Sequence, residues 1–224
     1  MNTDKIFEII YEDEYLIAVI KPYGISVSGS ENSLEHLIKK YVGTDSYVAM
    51  VHRLDAVVGG LMVFAKTPES AASLSKQIVN FEMKKEYFVI VQGLPEEKEG
   101  ELRDFLFKDS KKGKSFVVKR ARKGVKEAVL DYKTLASFTD ELNRDISLLR
   151  VKLKTGRTHQ IRVQFSSRKH PVVGDGKYGS NINCDYIALW SCALSFRHPN
   201  SGAEMKFSVN PPELKPWNYF HYND

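Results

Sequence analysis

Apolar residues along this chain fall into short blocks divided by polar turns, and the spacing within each block assigns its element. "IFEIIY" and "YLIAVIK" read as two strands parted by the acidic turn Glu12-Asp13-Glu14, and Pro22-Tyr23-Gly24 ends the second. "NSLEHLIKKYVG" has helical spacing, with Leu34, Leu37, Ile38 and Tyr41 apolar, Asn32 as N-cap with Glu35 three residues on, and Gly43 as the stop. "GGLMVFAK" is a strand. Thr67-Pro68 then opens a helix with Ala71, Leu74, Ile78 and Phe81 on one face. "EYFVIVQG", "ELRDFLF", "SFVVK", "AVLDYKTLASF" and "ISLLRVKLK" follow as strands at short intervals, the layout of antiparallel meanders. "RTHQIRVQF" predicts a helix opened by Thr158, and "YIALWSCALSF" and "AEMKFSV" close the sheet. The pattern predicts one mixed α/β (α+β) domain over residues 1–224, with a large, mostly antiparallel sheet.

Composition narrows the class. Hydrophobic residues are 42% and charged residues 27% of 224, as in ordinary globular domains. No run approaches the roughly 18 apolar residues of a membrane span, and "MNTDKIFEIIYED" lacks a signal-peptide layout, so a cytoplasmic protein away from membranes is expected. Cys184 and Cys192 are expected as reduced thiols. The six histidines are scattered and none pairs with another at ligand spacing, so no metal site is expected. Charge changes the picture more. Residues 108–126 carry nine Lys or Arg against one acid, Asp109, a local balance of +8 in a chain of net charge +5, so the remainder sums to −3. Such a concentration suits contact with a polyanion, and a solvated loop is the plainer alternative.

Four segments are candidates for chemistry. In "VHRLDAVVGGLMVFAK", Arg53 and Asp55 interrupt an apolar run. If they lie on a strand they share a face, either as a surface ion pair worth about 0–1 kcal/mol or as part of a site. "GDGKYG" matches the dinucleotide fingerprint in its glycines, but it is followed by loop sequence rather than a helix, so no nucleotide cofactor is expected. In "KTGRTHQIRVQF", Arg157 precedes a helix, and Arg162 within it suits either a rim charge or a bidentate carboxylate partner. Tyr87 begins a strand, where a tyrosine is ordinarily a core or edge aromatic.

Taken together and in order, "IIYEDEYLIAVIKPYGISV", "HRLDAVVGGLMVFAKT", "KKEYFVIVQG", "TGRTHQIRVQF" and "HPVVGDGKYG" resemble the RluA-type family of RNA pseudouridine synthases, from about Ile6 to Pro212. The resemblance implies the pseudouridine-synthase fold, a bent antiparallel sheet flanked by helices with a central cleft. It also implies an isomerase that needs no cofactor. It makes Asp55 catalytic, has Arg53 displace the target base and Tyr87 stack near it, and pairs Arg162 with Asp55. Two features depart from the usual pattern: Val58-Gly59 stands where relatives more often have Thr-Ser, and no small RNA-binding domain precedes the first motif.

Isomerising a uridine means breaking a glycosidic bond, turning the uracil and rejoining its C5 to the same sugar carbon. A carboxylate serves either by attacking C1′ or by taking a proton from C2′. The nucleotide must first be unstacked, and because unpaired loops are the readable parts of RNA, a stem-loop of ribosomal or transfer RNA is the expected partner. Lys119, Arg120, Arg122 and Lys123, the densest part of the basic segment, are expected to hold RNA together with Arg53 and Arg157. Gly113 and Gly124 bound a plausible hairpin there. A monomer is expected. The competing readings are a catalytically silent RNA-binding or RNA-remodelling protein on the same fold and a metal-dependent nuclease. The second lacks the clustered carboxylates it would need.

Overall fold

A computed structural model describes residues 6–222, which divide into two compact units. The first runs through Lys85 and takes back Trp190–Val209, and the second holds Glu86–Leu189 and the described residues after Val209. Among the described residues, eleven strands and three α-helices give a mixed α/β chain.

The first unit contains β1 (Glu8–Glu12), β2 (Leu16–Lys21), α1 (Leu34–Val42), β3 (Ala49–Met50), β4 (Gly59–Ala65) and α2 (Pro68–Val79), with β10 (Leu189–Arg197, entering it at Trp190) and β11 (Glu204–Ser208). Its strands run in the order β1-β2-β4-β10, with β11 on β10 and β3 on β4. All pairs are antiparallel except β4 with β10, which are parallel. All seven residues of β4 are buried, which is why its sequence is an uninterrupted apolar run rather than an alternation. Leu16, Val63, Ala65, Leu74, Met83 and Phe196 form one core cluster, with Ala71 and Ile78 of α2 packed on it. Thr67 caps α2 by accepting the Ser70 N–H, and Pro68 occupies the first turn, as the sequence predicts.

Two details differ. The N-cap of α1 is Ser33, not Asn32. Phe81 lies beyond the end of α2, in a left-handed conformation (φ 59°), and is exposed rather than on the helix's buried face.

His52 bears on stability. Its Nε2 accepts the N–H of Val63, 3.1 Å away, so the proton of the neutral ring sits on Nδ1, which has no hydrogen-bond partner among the described residues. Burial, aided by the charge of Lys85, pulls its pKa down to about 3. The unfolded chain takes up a proton near pH 6.5 and the folded chain does not, so stability is lost as pH falls below 6.5. The expected contribution is roughly 2 kcal/mol by pH 5. Denaturant unfolding at pH 7 and pH 5 checks this. The drop should be smaller by about that amount in His52→Gln, and equal drops would assign the effect to other groups.

The second unit contains β5 (Lys84–Gln92, entering it at Glu86), β6 (Glu99–Asp109), β7 (Lys114–Val118), β8 (Val125–Thr139), β9 (Asp145–Leu153) and α3 (Gln160–Ser166). Its strands follow the order β5-β9-β8-β6-β7, with antiparallel β6–β7, β6–β8 and β8–β9 pairs. "HPVV" is drawn alongside β5: Val172 bridges Val91, and Val173 N–H donates to the Ile90 carbonyl. The residue preceding α3 is His159, held left-handed (φ 55°), and not Thr158. The turn before α3 is tied by Gln160, whose Oε1 accepts from the Arg157 N–H and whose Nε2 donates to the Val129 carbonyl.

Candidate functional site

In the first unit, Arg53 and Asp55 lie on the loop before β4 and not on a strand, so the shared-face argument from strand geometry does not apply. The loop is extended enough to alternate all the same. His52 and Leu54 turn inward, Arg53 is exposed, and Asp55 is half-buried. A turn follows, closed by Val58 N–H donating to the Asp55 carbonyl at 2.9 Å.

That turn is held from beneath by Lys21, whose side chain is entirely buried. Its Nζ donates to the carbonyls of Pro22 (2.8 Å), Ile25 (2.8 Å) and Ala56 (3.0 Å), and the Ala56 carbonyl also accepts the Gly24 N–H. Three donors thus meet three acceptors, which is what a buried ammonium requires. Burial lowers its pKa to about 8, while the charge of Asp55 acts to raise it. Behind the turn the chain passes very close to β10. A Cβ on Gly60, which has φ 113°, would lie 2.3 Å from the Ser191 carbonyl oxygen, and one on Gly59 would lie 2.5 Å from the Trp190 ring. Glycine at both positions is a steric necessity, which gives a physical reason for the departure at Gly59. Ser191 Oγ donates to the Leu61 carbonyl and secures the same contact.

In the second unit, Arg162 is buried and forms a bidentate pair with Asp175, Nε to Oδ2 at 2.6 Å and Nη2 to Oδ1 at 2.8 Å. Asp175, an acid that sequence reasoning takes to stand alone, is 1% exposed. The guanidinium also lies over the Tyr178 ring, 5.0 Å from its centroid. Gly176–Tyr178 form a single 3-10 turn, so the "GDGKYG" glycines serve a tight loop that presents Asp175 and Tyr178.

Tyr178 connects this pair to the basic segment. Its hydroxyl accepts the Ser115 N–H at 2.8 Å and lies 2.9 Å from His159 Nδ1, and Lys114 Nζ sits over its ring at 4.7 Å. Ser115 Oγ donates to the Thr158 carbonyl. The segment runs from the end of β6 through β7 and a linking stretch into β8, so Gly113 and Gly124 bound one strand and a link rather than the expected hairpin. Lys119, Arg120, Arg122 and Lys123 are all exposed on that link. Arg157 is less available than expected, since its Nε donates to the Glu127 carbonyl at 2.8 Å. Tyr87 is buried in β5.

Sequence reasoning therefore missed Lys21, Asp175 and Tyr178. Lys21 carried a weak signal, a lysine closing an apolar strand immediately before a proline. Asp175 and Tyr178 lay inside a motif set aside for the wrong ligand.

Residues 15–167 match the family described as RNA pseudouridylate synthase. An uncharacterized RNA pseudouridine synthase of Aquifex aeolicus is 36% identical over 92% of this chain and 69% of its own length. The ribosomal large subunit pseudouridine synthase D of Zymomonas mobilis is 30% identical over the same shares. The tRNA pseudouridine synthase C of Vibrio parahaemolyticus is 30% identical over 97% of this chain and 96% of its own length. In fold, the chain is similar to human RNA pseudouridylate synthase domain containing 1, with a TM-score of 0.79 at 21% identity over 96% of this chain and 87% of that one. It is also similar to human domain containing 4, with a TM-score of 0.74 at 23% identity over 92% and 88%.

Proposed function

This chain belongs to the RNA pseudouridylate synthase family, and from that premise we propose that it converts selected uridines in stem-loops of ribosomal or transfer RNA to pseudouridine, with Asp55 as the catalytic carboxylate. The observation that carries the reading is the turn around Asp55. A fully buried ammonium, Lys21, is spent on three carbonyls to shape the backbone beside a half-buried carboxylate. Burying a charge costs several kcal/mol before its partners offset it, and a strand-end ion pair would need no such arrangement.

The roles follow from the chemistry. Asp55 acts on the sugar, at C1′ or C2′, while the uracil is released, turned and rejoined through C5. Arg162 offsets the charge of Asp55. Asp175 holds Arg162 in a bidentate pair and so fixes the plane of its guanidinium. Tyr87 stacks near the base, and the exposed Arg53 helps to displace it. The protein works as a monomer without metal or nucleotide. Flipping the base costs a few kcal/mol, which phosphate contacts to Lys119, Arg120, Arg122 and Lys123 supply, with Arg157 beside them.

Mapping pseudouridines in total RNA with and without the gene tests the function. Loss of one or a few sites in ribosomal or transfer RNA is expected, and an unchanged map would leave a silent RNA-binding protein as the better reading. The grip has its own test. Replacing Lys119, Arg120, Arg122 and Lys123 by serine should weaken binding to all RNAs and lower the log–log salt slope by up to roughly 3, about 0.7 per lost contact. Turnover at saturating RNA should survive. Normal binding across the salt series would move the grip elsewhere on the chain.

A further inference from the structure

The two faces of the β6–β7 hairpin are not alike. Leu106 packs inward with Ala128, Val163 and Tyr178, and Val117 lies against that cluster. Ser115, also buried, is fixed by its hydrogen bonds to Tyr178 and Thr158. Side chains alternate along a strand, so Phe105, Phe107, Phe116 and Val118 lie on the opposite face. They do so as directly opposed pairs, Phe105 with Val118 and Phe107 with Phe116. None of these four is fully buried, and Phe105 is 36% exposed. The face is apolar, on the last strand pair of its unit, and runs into the most basic stretch of the chain, which holds Phe116 and Val118 and begins directly after Phe107.

Cations sit on these rings. Arg122 lies over Phe107 at 5.4 Å and Lys112 over Phe116 at 5.8 Å, while Lys114, 5.9 Å from Phe116, is held by the Lys177 carbonyl and the Tyr178 ring. We propose that Phe107 and Phe116 form a base-stacking subsite for an unpaired RNA segment flanking the target uridine, with Lys112 and Arg122 turning from the rings to the phosphates when RNA arrives. Aromatic side chains set in a cationic surface are the working parts of single-strand binding sites, since every base offers a π-face and every nucleotide a phosphate. The occupant is unpaired RNA because bases in a duplex stack on one another and leave no face free. The local balance of +8 selects a polyanion over an apolar protein surface or a neutral lipid. The proposal rests on the reading of this chain as an RNA enzyme and adds a substrate requirement, an unpaired flank beside the modified position.

The test uses Phe107→Leu, Phe116→Leu and the double variant, in which the face stays apolar but stacking is lost. Binding of a single-stranded oligouridine and of an RNA duplex of equal length is titrated over a salt series. The double variant is expected to bind the single strand about tenfold or more weakly, the loss typical of a removed stacking platform. Its duplex affinity and its salt slope should match the unsubstituted protein, and Phe116→Trp should bind the single strand at least as well. Slow exchange of the Ser115 amide confirms that the hairpin remains docked on Tyr178. Unchanged single-strand binding, equal weakening on the duplex, or a flattened slope would each overturn the subsite. The measurement needs no turnover, so an inactive enzyme and an absent subsite give different results.

Discussion

Replacing Asp55 by asparagine is expected to abolish isomerisation and to leave the fold and RNA binding intact. Asparagine keeps the shape but removes the charge that either route at the sugar requires. The surrounding turn should survive the exchange, because the backbone carbonyl of residue 55 accepts from Val58 and Lys21 donates to the Ala56 carbonyl in either case. Loss of a group that reacts with substrate ordinarily costs on the order of 10⁴-fold or more in turnover. One side effect is expected. Lys21 loses a charge that acts to raise its pKa, so its ammonium should titrate below its present value of about 8. Release of tritium from C5-labelled RNA by the purified variant gives the rate, and a rate within tenfold of the unsubstituted enzyme would remove Asp55 from the chemistry.

Arg162→Ala should have the next largest effect, acting twice. It leaves Asp175, almost wholly buried, without its bidentate cation, and breaking a buried pair by removing one partner costs about 3–5 kcal/mol. It also takes away the group proposed to offset Asp55. Lysine should restore little, because a point charge cannot reproduce two parallel N–H donors at fixed spacing. The two effects separate in the double variant Arg162→Met, Asp175→Leu. Replacing both members of a buried pair by apolar groups is often neutral or stabilising, so denaturant unfolding should show stability recovered while turnover stays lost. Recovery of both would confine Arg162 to a structural role.

Elements whose type is fixed by their own apolar spacing and capping were legible in the sequence. The apolar run of β4, the Thr67-Pro68 start of α2 and the separate strands from β6 to β9 follow from spacing and capping alone. The expected meander does not hold, because β8 returns to pair with β6 and leaves β7 at the end of the order. What failed depended on where distant backbone passes. Arg53 and Asp55 read as strand positions because the run around them is apolar, yet the chain loops there so that Ala56 can reach Lys21 and Gly24. Lys21 itself looks like a strand-end surface lysine, and only the meeting of the Pro22, Ile25 and Ala56 carbonyls makes its burial possible. Thr158 reads as a cap, but the side chain of Gln160 ties the turn and leaves Thr158 to accept from Ser115. The glycines of "GDGKYG" were rightly denied a helix, and the pairing of Asp175 with Arg162 was invisible because thirteen residues separate partners that share no motif.

The central claim, that this chain isomerises uridine through Asp55, is tested most directly by incubating the purified protein with an unmodified, C5-tritiated transcript of the RNA identified by mapping. Tritium release and pseudouridine formation are measured together, because the product has the same mass as the substrate. The account predicts one tritium released for each pseudouridine formed at the mapped position, in excess chelator and without added nucleotide, and none with Asp55→Asn. Binding of the transcript with no release by the unsubstituted protein, or equal release by both proteins, would contradict it.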